Sequence, residues 1–378
     1  MIDMADMEPA AAKVVERRLG TLGQPSYTAR STEYVRDTLQ RFFESENPGS
    51  RVGDVRRMGG GASKEQFLFT LSGAGADHRK MVLRMDPLAA ITETDRKREY
   101  EVLQAMQGLV PAPRPMWLDA DGANFGRPSM IMDFVGGVTK PSDSSLKVSG
   151  LGTLLGDRLR SVLKGQFLDH LVAIHGFDWR NADLPSFDAP DADAKQAARW
   201  SLNYWKAMWD LDRFEERPIF ALTQQWLTDN IPDCDELVLT HGDYRTGNYL
   251  FDENDGQMTA VLDWELARIG DHHEDLGWVL MELFGITENG RFRASDLFER
   301  EEFITAYETA SGRRVNRKTL HYYDVMASWK CYIITAANGL AAARAQHNHQ
   351  DVLLTFLSTT APLFAADLCR LLSSEVPQ

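Results

Sequence analysis

Two short apolar runs each deliver polar residues into a loop. Leu237-Val-Leu-Thr240 runs into His241-Gly242-Asp243-Tyr244-Arg245-Thr246-Gly247-Asn248. Ala260-Val-Leu262 runs into Asp263-Trp264-Glu265, with Asp263 fifteen residues after Asn248. A strand that ends in a polar residue presents that side chain on a rigid support, so the fold must bring both strand ends to one place. Phosphoryl transfer needs such a set. One carboxylate orients the incoming hydroxyl, while an Asn and a second carboxylate hold Mg²⁺ across the nucleotide phosphates. Asp-x4-Asn alone is a common spacing. The His-Gly prefix, the strand flanks and the second Asp in register set this occurrence apart.

His241-Gly-Asp-x-x-x-x-Asn followed by Asp263-Trp-Glu resembles the aminoglycoside phosphotransferase family, relatives of choline and homoserine kinases with a protein-kinase-like fold. The resemblance runs from about residue 52 to about 285 and more weakly to the end, leaving residues 1–50 outside it. In motif form it is most similar to the kinase-like domains fused to some acyl-CoA dehydrogenases. The resemblance implies an α+β, bilobal fold with a strand-rich N-lobe and a mainly helical C-lobe. It implies ATP- and Mg²⁺-dependent transfer of the γ-phosphate to a hydroxyl of a small molecule. Asp243 would then be the catalytic base, Asn248 and Asp263 the metal ligands, and His241 a structural residue. The acceptor classes are a hydroxylated metabolite such as a hydroxyacyl thioester, an amino alcohol or an aminoglycoside.

The upstream segment fits that frame. Met58-Gly59-Gly60-Gly61-Ala62-Ser63-Lys64 is a Gly-rich turn between two predicted strands. Glycines let a backbone approach phosphates, and successive N–H groups can cradle an anion. Neither GxxxxGK[ST] nor GxGxxG occurs, which excludes a P-loop and a dinucleotide fingerprint. By the resemblance, Gly60, Gly61 and Ser63 would close over the nucleotide. The strand Lys80-Met-Val-Leu-Arg84 offers two cations on one face. Arg84 is chosen over Lys80 because the Val-Leu-Arg branch of the family uses it, with Glu99 as partner; the alternative is two surface charges. Met132 would lie at the hinge against adenine. Arg245, two residues past Asp243, would support the γ-phosphoryl charge in the transition state; the alternative is a salt bridge to a carboxylate such as Asp275.

Composition narrows the partners. The 378 residues include 41 Lys or Arg and 55 Asp or Glu, a net charge of −14. That argues against a non-specific nucleic-acid binder and against an anionic membrane surface. The three cysteines are far apart, which fits unpaired thiols in a reducing compartment. The acidic N-terminus lacks signal-peptide character. Cys331–Ala343 and Val352–Ala366 are shorter than a spanning helix needs, so a cytoplasmic location is expected. The segments read as a helical extension (1–49), a nucleotide-binding N-lobe (50–134) and a C-lobe (135–378). Helices are predicted at 150–175, 192–212, 218–230, 274–284, 296–310, 317–344 and 349–372, and within 1–45 and 94–107.

Other features take plainer readings. His272-His273-Glu274-Asp275 has a metal-like composition, but adjacent helical residues do not face one point. His347-Asn-His349 reads as a solvated helix break, and His175 as a packed helix-end histidine. Trp200, Tyr204, Trp205 and Trp209 form a stripe that is ordinarily core. The family builds its acceptor pocket from this region and from C-terminal helices, so these residues, Trp226, Trp278, His321, Tyr322 and Trp329 are candidates. A protein kinase is disfavoured, since His-Arg-Asp, Asp-Phe-Gly and Ala-Pro-Glu are all missing. The alternative from another class is a catalytically silent nucleotide-binding regulator, whose mark would be a missing Asp243, Asn248 or Asp263.

Overall fold

The computed structural model describes residues 4–59, 63–73, 76–143 and 152–374. Gly60 and Gly61 lie outside the described residues. The chain opens with two helices, α1 (Pro9–Leu19) and α2 (Thr32–Glu46). The N-lobe sheet comprises β1 (Arg51–Arg57), β2 (Glu65–Gly73), β3 (Ala76–Met85), β4 (Pro115–Asp119) and β5 (Ser129–Asp133), with α3 (Arg96–Ala105) between β3 and β4. Its order is β1-β2-β3-β5-β4 with antiparallel neighbours throughout.

Alternation along β2 and β3 buries both faces of this sheet. Phe67, Phe69, Leu71, Met81 and Leu83 turn to one side, where Val35, Leu39 and Phe43 of α2 cover them. Leu68 and Val82 turn to the other side and pack with Val102, Leu103 and Met106 around α3. Arg84 follows Val82 on that inner face and is 4% exposed. Lys80, two positions before Val82, is exposed near the Phe134 ring. Of Lys80 and Arg84 the strand therefore sends only Arg84 inward.

The C-lobe holds α4 (Gly156–His175), α5 (Gln196–Asp212), α6 (Pro218–Asp229), β6 (Leu237–Thr240), β7 (Tyr249–Phe251), β8 (Met258–Val261), β9 (Arg268–Asp271), α7 (His272–Val279), β10 (Ile286–Glu288), β11 (Arg291–Arg293), α8 (Arg300–Ser311), α9 (Arg317–Ile333), α10 (Leu340–Arg344), α11 (Asp351–Ser358) and α12 (Ala361–Ser373). Three two-stranded sheets pair β6 with β9, β7 with β8 and β10 with β11. In α4, Leu159, Leu163, Phe167, Leu171 and Ile174 recur at helical spacing and enter the principal core beneath the β7–β8 hairpin. Helix α9 is the lobe's axis. Every residue from Thr319 to Ile333 is buried. Gly277 lets α7 approach it closely, because a Cβ there would lie 2.8 Å from the Tyr323 carbonyl carbon.

Several sequence expectations need correcting. The N-terminal helical region is two helices that serve different lobes. Val15 and Ala11 of α1 pack with Leu202 and Trp205 of α5, whereas α2 covers the N-lobe sheet. The helix expected over 317–344 passes through a π-helical turn at Ile334–Gly339. The helix expected over 349–372 breaks between Ser358 and Ala361, with Pro362 in the first turn of α12. Its most apolar window has mean hydropathy 1.6, long and apolar enough by composition to cross a bilayer. Here Leu354 packs with Ala342 of α10, and Phe364, Leu368 and Leu371 join the C-lobe core. His347 is not a solvated break. It is 3% exposed and bonded through Nε2 to the Gln24 carbonyl at 3.0 Å. The β10–β11 hairpin had no counterpart in the expected elements.

Candidate active site

The β6 strand ends at Thr240, and the chain turns at Gly242, whose φ is +81°. A Cβ there would lie 2.5 Å from the Leu266 carbonyl oxygen, so glycine is required by both backbone and space. Asp275, fully buried on α7, accepts the His241 and Gly242 backbone N–H groups at 2.7 Å each. His175 Nε2 lies 3.1 Å from the same carboxylate, and its Nδ1 is 2.7 Å from the Tyr307 hydroxyl. Burial works against an ionised Asp275. The hydrogen bond and charge of His175 and the His241 contacts outweigh it and hold this carboxyl below its ordinary value.

His241 is fully buried. Nε2 lies 2.9 Å from the Leu262 carbonyl, and Nδ1 accepts the Asp243 backbone N–H at 3.2 Å. That pattern requires the neutral Nε2–H tautomer, and burial lowers the His241 pKa in agreement. The histidine thus ties the Asp243 loop to the end of β8.

Asp243 is half-buried. Arg245 Nε donates to its Oδ1 at 2.9 Å, and Trp278 Nε1 donates to the same oxygen at 2.7 Å. Among the described residues both side-chain bonds land on Oδ1, which leaves Oδ2 for an incoming hydroxyl. Arg245 therefore pairs with Asp243 rather than with Asp275, and its guanidinium lies 4.6 Å from the centre of the Phe284 ring. The Asn248 amide nitrogen donates to the Asp243 carbonyl at 2.9 Å. This orients the amide and leaves its oxygen as the free end.

Tyr249 and Val261 are paired in the β7–β8 hairpin, and Leu262 N–H donates to the Asn248 carbonyl at 2.8 Å. Asn248 and Asp263 consequently emerge side by side from one hairpin end. Asp263 takes a left-handed backbone, φ +59°, a conformation that Asp and Asn tolerate better than most residues. Burial disfavours its ionised form, but Arg84 outweighs burial and keeps its pKa low. An ionised carboxylate beside an oriented amide oxygen is the hard-oxygen donor set that Mg²⁺ takes.

The opposite wall of the cleft is a buried network of charges. Arg84 Nε is 3.3 Å from Glu99 Oε1, so β3 and α3 bring together the pair expected from sequence. Arg84 Nη2 also lies 2.8 Å from Asp263 Oδ1 and 3.4 Å from Glu265 Oε2. Lys64, 1% exposed, reaches Asp86 at 3.4 Å and Glu265 at 3.8 Å. Arg96 bridges Asp86 and Glu99. Ser63 Oγ donates to Glu265 Oε2 at 3.2 Å, tying the Gly-rich turn to the metal-side loop. Burial raises the Glu265 pKa although Lys64 and Arg84 oppose it. The Asp263 and Glu265 carboxyls, which share Arg84 Nη2, are thus shifted in opposite directions. Lys64, Asp86, Arg96 and Glu265 were not among the expected site residues, because spacing alone does not reveal which charges are buried.

Met132 is 6% exposed, registered opposite Val82 and Pro115, and packed in the principal core. Most of the aromatic candidates are core as well. Trp209 stacks on Phe220 and Tyr332, Trp329 is fully buried, and Tyr322 is 1% exposed. Trp278 is the exception that touches the catalytic loop. Asp271, His272 and His273 bring ligand atoms within 4.8 Å of one another. His273 already uses both ring nitrogens, however, with Nδ1 at 2.7 Å from Asp271 and Nε2 accepting the Asn316 N–H at 3.0 Å. Asp271 also caps α7 through the His273 N–H, so this trio is a helix cap.

The model of the phosphotransferase enzyme family (APH) matches residues 54–313. The chain belongs to that family. Acyl-CoA dehydrogenase family member 11 of Gallus gallus is 26% identical over 323 residues, covering 81% of this chain and 39% of that protein. The chain thus spans well under half the length of that relative. The aminoglycoside 3'-phosphotransferase of Streptomyces fradiae is 28% identical over 147 residues, 38% of this chain and 51% of that one. A Ralstonia eutropha protein assigned to the aminoglycoside phosphotransferases superposes with TM-score 0.64 at 22% identity, over 89% of this chain and 97% of that one. Aminoglycoside phosphotransferase APH(4)-Ia, solved with ADP and hygromycin B, superposes with TM-score 0.57 at 15% identity, covering 89% and 100%. These neighbours establish the protein-kinase-like fold, with the β1–β5 sheet and α3 as N-lobe and the helical remainder as C-lobe.

Proposed function

We propose that this phosphotransferase-family chain moves the γ-phosphate of ATP to a hydroxyl of a small-molecule metabolite, with Mg²⁺. The observation that carries this reading is the Asp243 carboxylate. Its Oδ1 is occupied by Arg245 and Trp278, and its loop is held by Asp275 and His241 beside Asn248 and Asp263. Asp243 Oδ2 accepts the acceptor's hydroxyl proton as the oxygen attacks the γ-phosphorus. The new O–P bond forms, the bridging bond to the β-phosphate breaks, and ADP leaves with that electron pair. Arg245 neutralises charge developing on the transferred group. Bound by Asn248 and Asp263, Mg²⁺ would supply charge neutralisation across the phosphates. Arg84 exchanges its Asp263 contact for a phosphate oxygen while Glu99 keeps it oriented, and Ser63 closes with the Gly-rich turn.

The match to acyl-CoA dehydrogenase family proteins supports a hydroxyacyl thioester as the first acceptor to try, ahead of amino alcohols and aminoglycosides. The test is ADP release from Mg·ATP across those three classes, with Asp243→Asn as control. Acceptor-dependent release by the wild type is expected, reduced about 100-fold or more in the control. ATP binding without release for any acceptor would favour the silent-regulator reading. Failure to bind ATP would overturn both.

A further inference from the structure

Lys330 lies on α9, outside the span matched by the family model. It is 3% exposed. Its Nζ donates to the Gly242 carbonyl at 3.1 Å. It also lies 4.4 Å from the centre of the Trp278 ring and 5.4 Å from that of Trp205, with Glu274 Oε1 at 4.0 Å. A buried ammonium needs compensation. Here it comes from one carbonyl, two aromatic faces and one carboxylate. A cavity of about 70 Å³ beside it, lined also by Glu8, Tyr204, Glu265 and Glu274, has room for about two waters to take its remaining protons.

Two of the groups that Lys330 touches lead to the same carboxylate. The Gly242 carbonyl belongs to the peptide that carries Asp243, and Asp275 already holds the preceding N–H. The Trp278 indole donates to Asp243 Oδ1. We propose that Lys330 is a positioning residue for Asp243, fixing the Gly242–Asp243 peptide and the Trp278 ring together so that Oδ2 keeps its aim. This rests on the phosphotransfer reading above. The family motif supplies Asp243 itself, and α9 supplies its alignment from 87 residues further along the chain.

The test compares Lys330→Met with Val325→Ala, an apolar truncation on the same helix in the C-lobe core that removes no donor or charge. Lys330→Met keeps the length of the stem and removes the donor and the charge. Its kcat is expected to fall about 10- to 100-fold, the scale of a misplacement near 1 Å, with KM for ATP within about twofold of wild type. Val325→Ala should lose comparable thermal stability and keep its kcat. Lys330→Gln, which restores a donor without charge, should fall between, and it stands in if the Met variant does not fold. Equal kcat losses in the Val325 and Lys330 variants, or a Lys330→Met kcat near wild type, would overturn the proposal. If the wild type releases no more ADP than Asp243→Asn, the phosphotransfer reading fails on its own account. Lys330 is then decided by a crystal structure of Lys330→Met. A Gly242–Asp243 peptide and Trp278 ring displaced by more than about 0.5 Å uphold the positioning role, and a smaller shift refutes it.

Discussion

The two walls of the cleft are held by different physics. On one side, Lys64, Arg84 and Arg96 of the N-lobe interlock with Asp86 and Glu99 and reach across to Asp263 and Glu265 of the C-lobe, a network of ion pairs. On the C-lobe side, the Asp243 loop is held mainly by hydrogen bonds, two of its backbone N–H groups resting on the Asp275 carboxylate with His241 and His175 around them. The first wall contains a contact that must change in use. Arg84 cannot give one Nη2 at full strength to both Asp263 and a phosphate oxygen. In the second wall the Asp275 and His241 contacts that hold the loop leave Asp243 Oδ2 clear. On the phosphotransfer reading proposed above, the nucleotide side exchanges partners and the acceptor side stays in place. That division suits phosphoryl transfer, where most of the catalytic gain is positioning and electrostatics.

Removing a charge should hurt the first wall most. Arg84→Met leaves Glu99, Asp263 and Glu265 without their shared cation. Stranding buried charge costs about 3–5 kcal/mol, so chemical denaturation should show a loss of that size together with lost ATP affinity. A variant as stable as wild type would mean that Lys64 and Arg96 re-pair with the stranded carboxylates. The network would then be far more plastic than its burial suggests.

Asp275→Asn tests the second wall. An amide oxygen can accept only part of what the carboxylate accepts, and its NH₂ group opposes the backbone donors at His241 and Gly242. One orphaned buried donor costs about 1–3 kcal/mol. Stability should fall by that amount while nucleotide affinity holds and turnover drops. Loss of nucleotide affinity in step with turnover would show that the two walls are not separable.

These partners were unequally visible beforehand. Arg84 and Glu99 could be paired because strand alternation puts one cation on the inner face and one carboxylate on the facing helix. Asp243, Asn248 and Asp263 stood out because each follows an apolar strand. Trp278 stood out only as one aromatic candidate among several, and Lys330 not at all, since they lie 35 and 87 positions beyond Asp243 and reach its loop only through the tertiary fold. The β10–β11 hairpin did leave a sign. Asn289-Gly290, at φ +52° and +77°, is the turn pair such hairpins favour, although helical patterns flank it on both sides. The break between α11 and α12 was marked by Pro362, yet apolar continuity masked it.

Acid should separate the buried histidines from the buried carboxylates by pH. His241 and His272 are buried with pKa values below the ordinary 6.5, that of His272 at about 3, both by desolvation first. For a depressed pKa the unfolded chain binds more protons, so stability is full above pH 6.5 and lost as pH falls toward the folded value. Asp86 and Asp263 are likewise depressed, their burial outweighed by Arg96 and Arg84, from an ordinary 3.8. Their contribution is lost only below about pH 4. Melting temperature should therefore begin to fall near pH 6.5 and steepen below 4. His241→Gln should flatten the upper part of that curve and leave the lower part unchanged. An unchanged upper slope would assign it to other histidines.

The smallest expected effect lies where the Gly-rich turn meets the metal-side loop. Ser63 Oγ donates to Glu265 Oε2 at 3.2 Å from a half-buried position. Glu265 retains Arg84 at 3.4 Å and Lys64 at 3.8 Å without it. Ser63→Ala should thus cost less than about 1 kcal/mol, the net worth of one ordinary hydrogen bond. Its effect should appear in KM for ATP, raised about two- to threefold, because the turn loses its tether to Glu265 while Asp243 is untouched. A change in kcat at constant KM would instead couple this turn to the acceptor side. It would extend to Asp243 the link that the Arg84–Asp263 and Ser63–Glu265 contacts already make across the cleft.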